Sequence, residues 1–138
     1  MTGHERGLRC LFVKDDRLYS GSEDNSLIVW DKMTGERLAK LVGHTRAVIS
    51  VFVDEGRIYT GSEDNTIRIW NLQTGALIHS IEKSKRQSKS TKVKHKNNIF
   101  LDEGTYGFVH NIVVFGDKIF AAVLDKIKVY QKLVNYYL

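Results

Sequence analysis

The chain has a single cysteine, Cys10, among 138 residues, so no internal disulfide can brace it. That usage suits a reducing compartment, and the expected location is the cytoplasm or else the nucleus. No run of about 18 apolar residues occurs, so no segment reads as a membrane-spanning helix. The opening residues, Met1-Thr2-Gly3-His4-Glu5-Arg6, lack the charged-then-apolar order of a secretion signal. His4, Cys10, His44, His79, His95 and His110 show no paired short spacing, so no metal site is expected. A Gly-rich phosphate loop is also missing, since Gly21 and Gly61 sit inside strand patterns, and no cofactor is expected. Helical spacing of apolar residues is nowhere sustained.

What is present is an ordinary globular composition, 42% hydrophobic, on a chain long enough to bury a core. The formal net charge of +5 is unevenly placed. Residues 83–96 carry seven cations (Lys83, Lys85, Arg86, Lys89, Lys92, Lys94 and Lys96) and no acid. Elsewhere 14 basic residues face 16 acidic ones, so the body of the chain is close to neutral.

The dominant feature is a repeat. Residues 3–42 slide onto 43–82 without a gap and match at 15 of 40 positions. Gly3-His4 returns as Gly43-His44, and Ser20-Gly21-Ser22-Glu23-Asp24-Asn25 as Thr60-Gly61-Ser62-Glu63-Asp64-Asn65. Trp30-Asp31 returns as Trp70-Asn71. A fixed period of this size decides the architecture. Each unit reads as four short strands: 8–13, 17–22, 27–30 and 36–42, then 48–53, 57–62, 67–70 and 76–82. Gly, Asp and Asn fall where turns need positive φ or a side-chain cap. Strand 8–13 is almost wholly apolar, which predicts cover on both faces. A degraded third copy follows, with 109–114, 118–123 and 127–130 matching the second unit and 133–138 available as an outer strand. An insert of about 83–107 separates copies two and three.

Gly-His, then Ser/Thr-Gly-Ser-x-Asp, then Trp-Asp at this spacing resembles the WD-repeat β-propeller family. The resemblance is strong over 3–82 and weak over 109–138. It implies an all-β fold of three four-stranded antiparallel blades, an incomplete β-propeller. Blade 1 would span about 3–42, blade 2 about 43–82 and blade 3 about 108–138, all in one domain. It also implies a structural hydrogen-bond chain in each sound blade: His4, Ser20, Asp24 and Trp30, then His44, Thr60, Asp64 and Trp70. An indole N–H is a donor only, so burying it demands an acceptor of this kind. The third copy lacks the set: Ala121 stands for the hydroxyl, Tyr130 for the indole, and Asp125 alone remains.

A Ser/Thr-His-Asp set also invites a hydrolase reading. Its occurrence twice at one spacing, once with Thr, and the lack of a Gly-x-Ser-x-Gly turn argue against it. No catalytic residue is expected. The family's frequent contact positions, carried over, fall on Gly7, Arg9 and Glu23, then Ala47, Ile49 and Glu63. By alignment they continue to Phe108, His110 and Leu124. Charge mixed with apolar groups suits a protein or peptide partner. The basic insert opens an alternative, a nucleic-acid-associated protein whose contacts would be salt-sensitive and sequence-blind. Three blades do not close a ring, because propellers typically use about four to eight. The expectation is therefore a non-enzymatic scaffold completed by self-association into a homo-oligomer or by another chain, or else a fragment of a larger repeat protein.

Overall fold

The computed structural model describes residues 2–82, 107–124 and 126–132. The basic run from Lys83 to Lys96, Asp125 and the expected outer strand at 133–138 lie outside the described residues. Eleven strands and no helix occur among those described.

The first sheet holds β1 (Leu8–Lys14), β2 (Arg17–Ser22), β3 (Ser26–Asp31) and β4 (Arg37–Val42) in sequence order. The second repeats it with β5 (Val48–Asp54), β6 (Arg57–Ser62), β7 (Ile67–Asn71) and β8 (Leu77–Ile81). The third contains β9 (Val109–Phe115), β10 (Lys118–Val123) and β11 (Lys126–Gln131). All pairings are antiparallel. β-Branched and aromatic residues fill these strands because their stiff side chains suit a pleated surface.

The turns follow from local chemistry. Asn25 and Asn65 take φ of 68° and 66°, a left-handed conformation that Asn tolerates better than most residues. Asp31 Oδ1 accepts the backbone N–H groups of Met33 and Thr34 at 2.8 Å each, and Asn71 Oδ1 does the same for Gln73 and Thr74 at 2.9 Å. The residue after each Trp is thus a turn cap, and Asn replaces Asp there without loss of the acceptor.

The sheets stack face to face with a core between each pair. Tyr19, Leu27, Val29 and Leu41 of the first sheet pack on Val48, Val51, Val53, Ile58 and Trp70 of the second. Tyr59, Ile67, Ile69 and Ile81 of the second pack on Val109, Ile112, Val114, Ile119 and Ala121 of the third. Polar stitches cross both seams. Ser50 Oγ donates to the Val109 carbonyl at 3.1 Å, and Cys10 Sγ points at the Val48 carbonyl from 3.8 Å. Cys10 is half-buried, and burial pushes its thiol up to about 11 against the opposing effect of a Gly21 backbone hydrogen bond.

Asp54 serves both seams at the opposite end of the strands from the Asn turns. It meets Lys14 of the first sheet at 3.6 Å and Lys132, after β11, at 3.0 Å. Glu55 adds a 2.6 Å contact to the same buried Lys132. Desolvation pushes the Asp54 carboxyl up, but the two lysines outweigh it and hold the group below its ordinary value.

One expectation is corrected. Strand β1 is not covered on both faces: Leu8, Leu11 and Val13 are exposed, whereas Cys10 and Phe12 pack toward the second sheet. The reason is tertiary, because no sheet lies on the outer side of β1 among the described residues.

Candidate functional site

Two constellations stand out, one inside each of the first two sheets and one along the edge where the Asn turns lie. Within the first sheet, His4 Nδ1 is 2.9 Å from Asp24 Oδ2 and His4 Nε2 is 2.8 Å from Ser20 Oγ. The Trp30 indole donates to the same Ser20 Oγ at 2.7 Å. In the second sheet the matching distances are 2.8 Å for His44–Asp64, 2.7 Å for His44–Thr60 and 2.9 Å for Trp70–Thr60. With the ring proton on Nδ1, each group has a role: N–H donates to the carboxylate, the hydroxyl donates to Nε2, and the hydroxyl oxygen accepts the indole.

The carboxylate is the anchor. Asp24 Oδ1 accepts the Ser26 hydroxyl at 2.6 Å and the Ser26 N–H at 3.0 Å, while Oδ2 also accepts the Glu5 N–H at 3.0 Å. Asp64 has the same partners in Thr66 and Thr45. Burial pushes both carboxyls up. The hydrogen bonds win, led by Ser26 at Asp24 and by His44 at Asp64, and hold both well below the usual carboxylate range. Ser26 and Thr66 were not singled out from the sequence, yet a hydroxyl repeated at a forty-residue offset just after each Asp was the available signal.

This geometry resembles a hydrolytic triad only in its distances. Ser20 and Thr60 are buried, and each hydroxyl is already engaged by an indole and an imidazole. An attacking hydroxyl needs room for a carbonyl carbon, and Thr60 is sealed beneath the first sheet. In the third sheet Ala121 and Tyr130 are both buried, and burial raises the Tyr130 phenol to about 12. Among the described residues no cluster of three or more His, Cys, Asp or Glu could hold a metal ion. No helix among them is long and apolar enough to cross a membrane.

The second constellation rests on a backbone device. Pairing slips between Leu8 and Cys10, between Val48 and Ser50, and opposite Ala122 and Val123, where Asn111 and Val109 pair. Arg9, Ile49 and His110 are therefore the extra residues of three equivalent β-bulges. A bulge breaks the two-residue alternation and re-aims the side chain it carries. Arg9 reaches Glu23 at 3.0 Å and Glu63 at 3.6 Å, bridging the first two sheets. His110 meets the Phe108 ring edge-on with centroids 6.1 Å apart. The Arg46 guanidinium lies 5.6 Å from the Phe108 centroid and joins the second sheet to the third.

The structure thus gathers Arg9, Glu23 and Glu63 into one charged cluster, and Phe108 and His110 into one aromatic cluster with Arg46. Ile49 is half-buried, and Ala47 is buried, with its carbonyl accepting the Glu63 N–H at 3.0 Å. Gly7 and Leu124 are exposed. Arg46 went unnoticed in the sequence because nothing local marks a cation–π partner that lies in another sheet.

Three sheets stacked in an open arc, with a buried His–Asp–hydroxyl–indole chain in two of them, define a segment of a β-propeller. The family model for the WD domain, G-beta repeat, matches residues 1–31 and 35–71. The chain belongs to this WD-repeat family. The WD40 β-propeller domain of Doa1 superposes with a TM-score of 0.72 at 22% identity, over 94% of this chain and 38% of that one. The computationally designed Ika8 protein gives a TM-score of 0.67 at 22% identity, over 94% of this chain and 34% of its own. The chain thus spans little more than a third of the length of these structures, and likeness at such identity speaks for the fold alone. No curated protein matches the sequence. Propeller domains of this family are in general non-catalytic scaffolds that bind protein partners.

Proposed function

We propose that this chain is a non-enzymatic scaffold that binds a protein or peptide along its bulged edge. The observation that carries the reading is the threefold bulge, which turns Arg9, Ile49 and His110 to equivalent places on three neighbouring sheets. A partner laid across them meets a charged cluster and then an aromatic one. Arg9, Glu23 and Glu63 offer charge-assisted hydrogen bonds, while Phe108 with Arg46 offers a flat apolar anchor. The scaffold reading also includes completion of the arc by further blades, supplied by self-association or by another chain.

Selection from a displayed peptide library against the full chain tests the edge. Peptides so enriched should bind Arg9→Glu and Phe108→Ala at least about tenfold more weakly, the scale of a modest hot spot. A control change at the far end, Lys118→Ala, should leave binding intact. Equal binding to all three variants would refute the edge as the site.

A further inference from the structure

We infer that a second copy of this chain closes the arc, docking its third sheet against the outer face of the first sheet to form a two-chain ring. The inference rests on the reading above that the arc is completed by further blades, and it names the partner.

The repeat itself shows what each bare face is built to meet. Leu8 and Leu11 are 56% and 61% exposed, whereas their equivalents forty residues on, Val48 and Val51, are 0% and 7% exposed. Those valines are covered because the first sheet lies on them through Tyr19 and Val29. The uncovered side of the first sheet carries a groove of about 290 Å³ lined by Leu8, Leu11, Leu18, His4 and Trp30. It is therefore the same docking surface with, among the described residues, no neighbour on it.

The other end of the arc carries the matching half. Ile127 and Val129 are 74% and 51% exposed, while their equivalents Ile67 and Ile69 are 2% and 1% exposed beneath the third sheet. Val113 and Phe120 extend this face, aligned with Phe52 and Tyr59 of the second sheet. One chain thus bears one unmatched copy of each half of a contact that it already makes twice internally. Contiguous exposed apolar faces of this kind mark association sites.

Stoichiometry follows from closure. The three sheets among the described residues of each chain give six for two copies, inside the range of about four to eight in which propellers close. Three copies would exceed it. The two contacts in such a ring are identical and head-to-tail, which a two-fold axis along the channel permits.

Sedimentation equilibrium of the full chain is the test. The expected mass is twice the 15.8 kDa of one chain. Leu11→Asp and Ile127→Asp alter exposed positions on opposite faces, so each should keep its circular dichroism while the mass falls to that of one chain. Mixing the two variants should restore a two-chain mass, because the intact third sheet of the first variant can dock on the intact first sheet of the second. A wild-type monomer, a mass above two chains, or a dimer insensitive to either change would overturn the inference. So would a mixture that stays monomeric, since that outcome points to like-with-like pairing. Peptide binding at the bulged edge is read separately, so failure here leaves the scaffold reading standing on its own test.

Discussion

Thr60→Val is the most discriminating single change in this structure. The two side chains are nearly isosteric, and Val suits a strand at least as well as Thr. Packing around Thr60 is therefore kept while one oxygen is lost. That oxygen accepts the Trp70 indole at 2.9 Å and lies 2.7 Å from His44 Nε2. Trp70 and His44 are both buried, so neither can turn to water. Leaving a buried polar group without a partner costs about 1–3 kcal/mol, and two are stranded here, so the expected loss is about 2–6 kcal/mol. Against a total stability of about 5–15 kcal/mol, that is a large fraction. Urea unfolding followed by tryptophan fluorescence measures it, because the only two tryptophans, Trp30 and Trp70, sit one in each network. Trp70→Phe in the Thr60→Val background should cost less than Trp70→Phe in wild type, because the donor is then already unpaired. Ser20→Ala removes the same shared oxygen from Trp30 and His4 in the first sheet, and should likewise destabilise because Ser20 and Trp30 are buried too. A Thr60→Val loss below about 0.5 kcal/mol would refute the claim that the chain of hydrogen bonds holds the second sheet, because surface changes alone fall in that range.

The depressed carboxyls of Asp24 and Asp64 set the acid response. A lowered folded value means their stabilisation is complete above the unfolded carboxylate value of about 3.9 and is lost as pH falls from there toward the folded values. Urea midpoints should therefore drop steeply below about pH 4, and Asp64→Asn should flatten that slope; an unchanged slope would contradict the assignment. Gly61→Ala places a methyl 2.3 Å from Ser50 Oγ and 2.6 Å from Val109 Cγ1, so it should destabilise by about 1–3 kcal/mol through overpacking at the seam between the second and third sheets. Thermal unfolding measures this, and a neutral result would mean the seam is looser than the structure shows. Asp54→Asn removes a charge from between Lys14 and buried Lys132, and hydrogen exchange should speed up in Val109–Phe115 and Lys126–Gln131 more than in Ser26–Asp31. Uniform protection across all three strands would refute that hub.

What the sequence made legible was whatever is encoded by residue type at a fixed offset. His, hydroxyl, Asp and Trp each have distinct donor and acceptor chemistry, so their recurrence at forty residues fitted the one network that the family resemblance implied. Asn25 and Asn65 marked left-handed turns for the same reason: the conformation selects the side chain. Exposure of Leu11 was not legible, because Leu11 and Val51 occupy the same local pattern and differ only in whether another sheet lies on them. The bulges at Arg9, Ile49 and His110 were hidden as well. A slip in pairing register leaves no composition of its own, and the three residues it re-aims share no chemistry. Lys132 escaped notice because its partners, Asp54 and Glu55, lie in a hairpin nearly eighty residues earlier.

The third sheet shows how such a network can be lost. A buried indole without its hydroxyl strands a donor, and a buried hydroxyl without its indole strands an oxygen, so either single loss is costly. Replacing both partners by groups that need no such bond can be close to neutral. At these two positions the third sheet has Ala121, whose methyl needs no partner, and Tyr130, which lacks the indole N–H but carries a hydroxyl of its own. Both are buried against Val114 and Ile119 in the same core as Tyr59 and Ile69. The third sheet thus leans on hydrophobic burial, with the Lys132 ion pairs at one end, where a buried hydrogen-bond chain adds to the core of the first two. Such burial is non-directional and scales with area. The third sheet's grip therefore depends on how much of its surface is covered, and among the described residues its outer face, with Ile127 and Val129, is bare. The sheet that lacks the internal network is the one with most to gain from a neighbour.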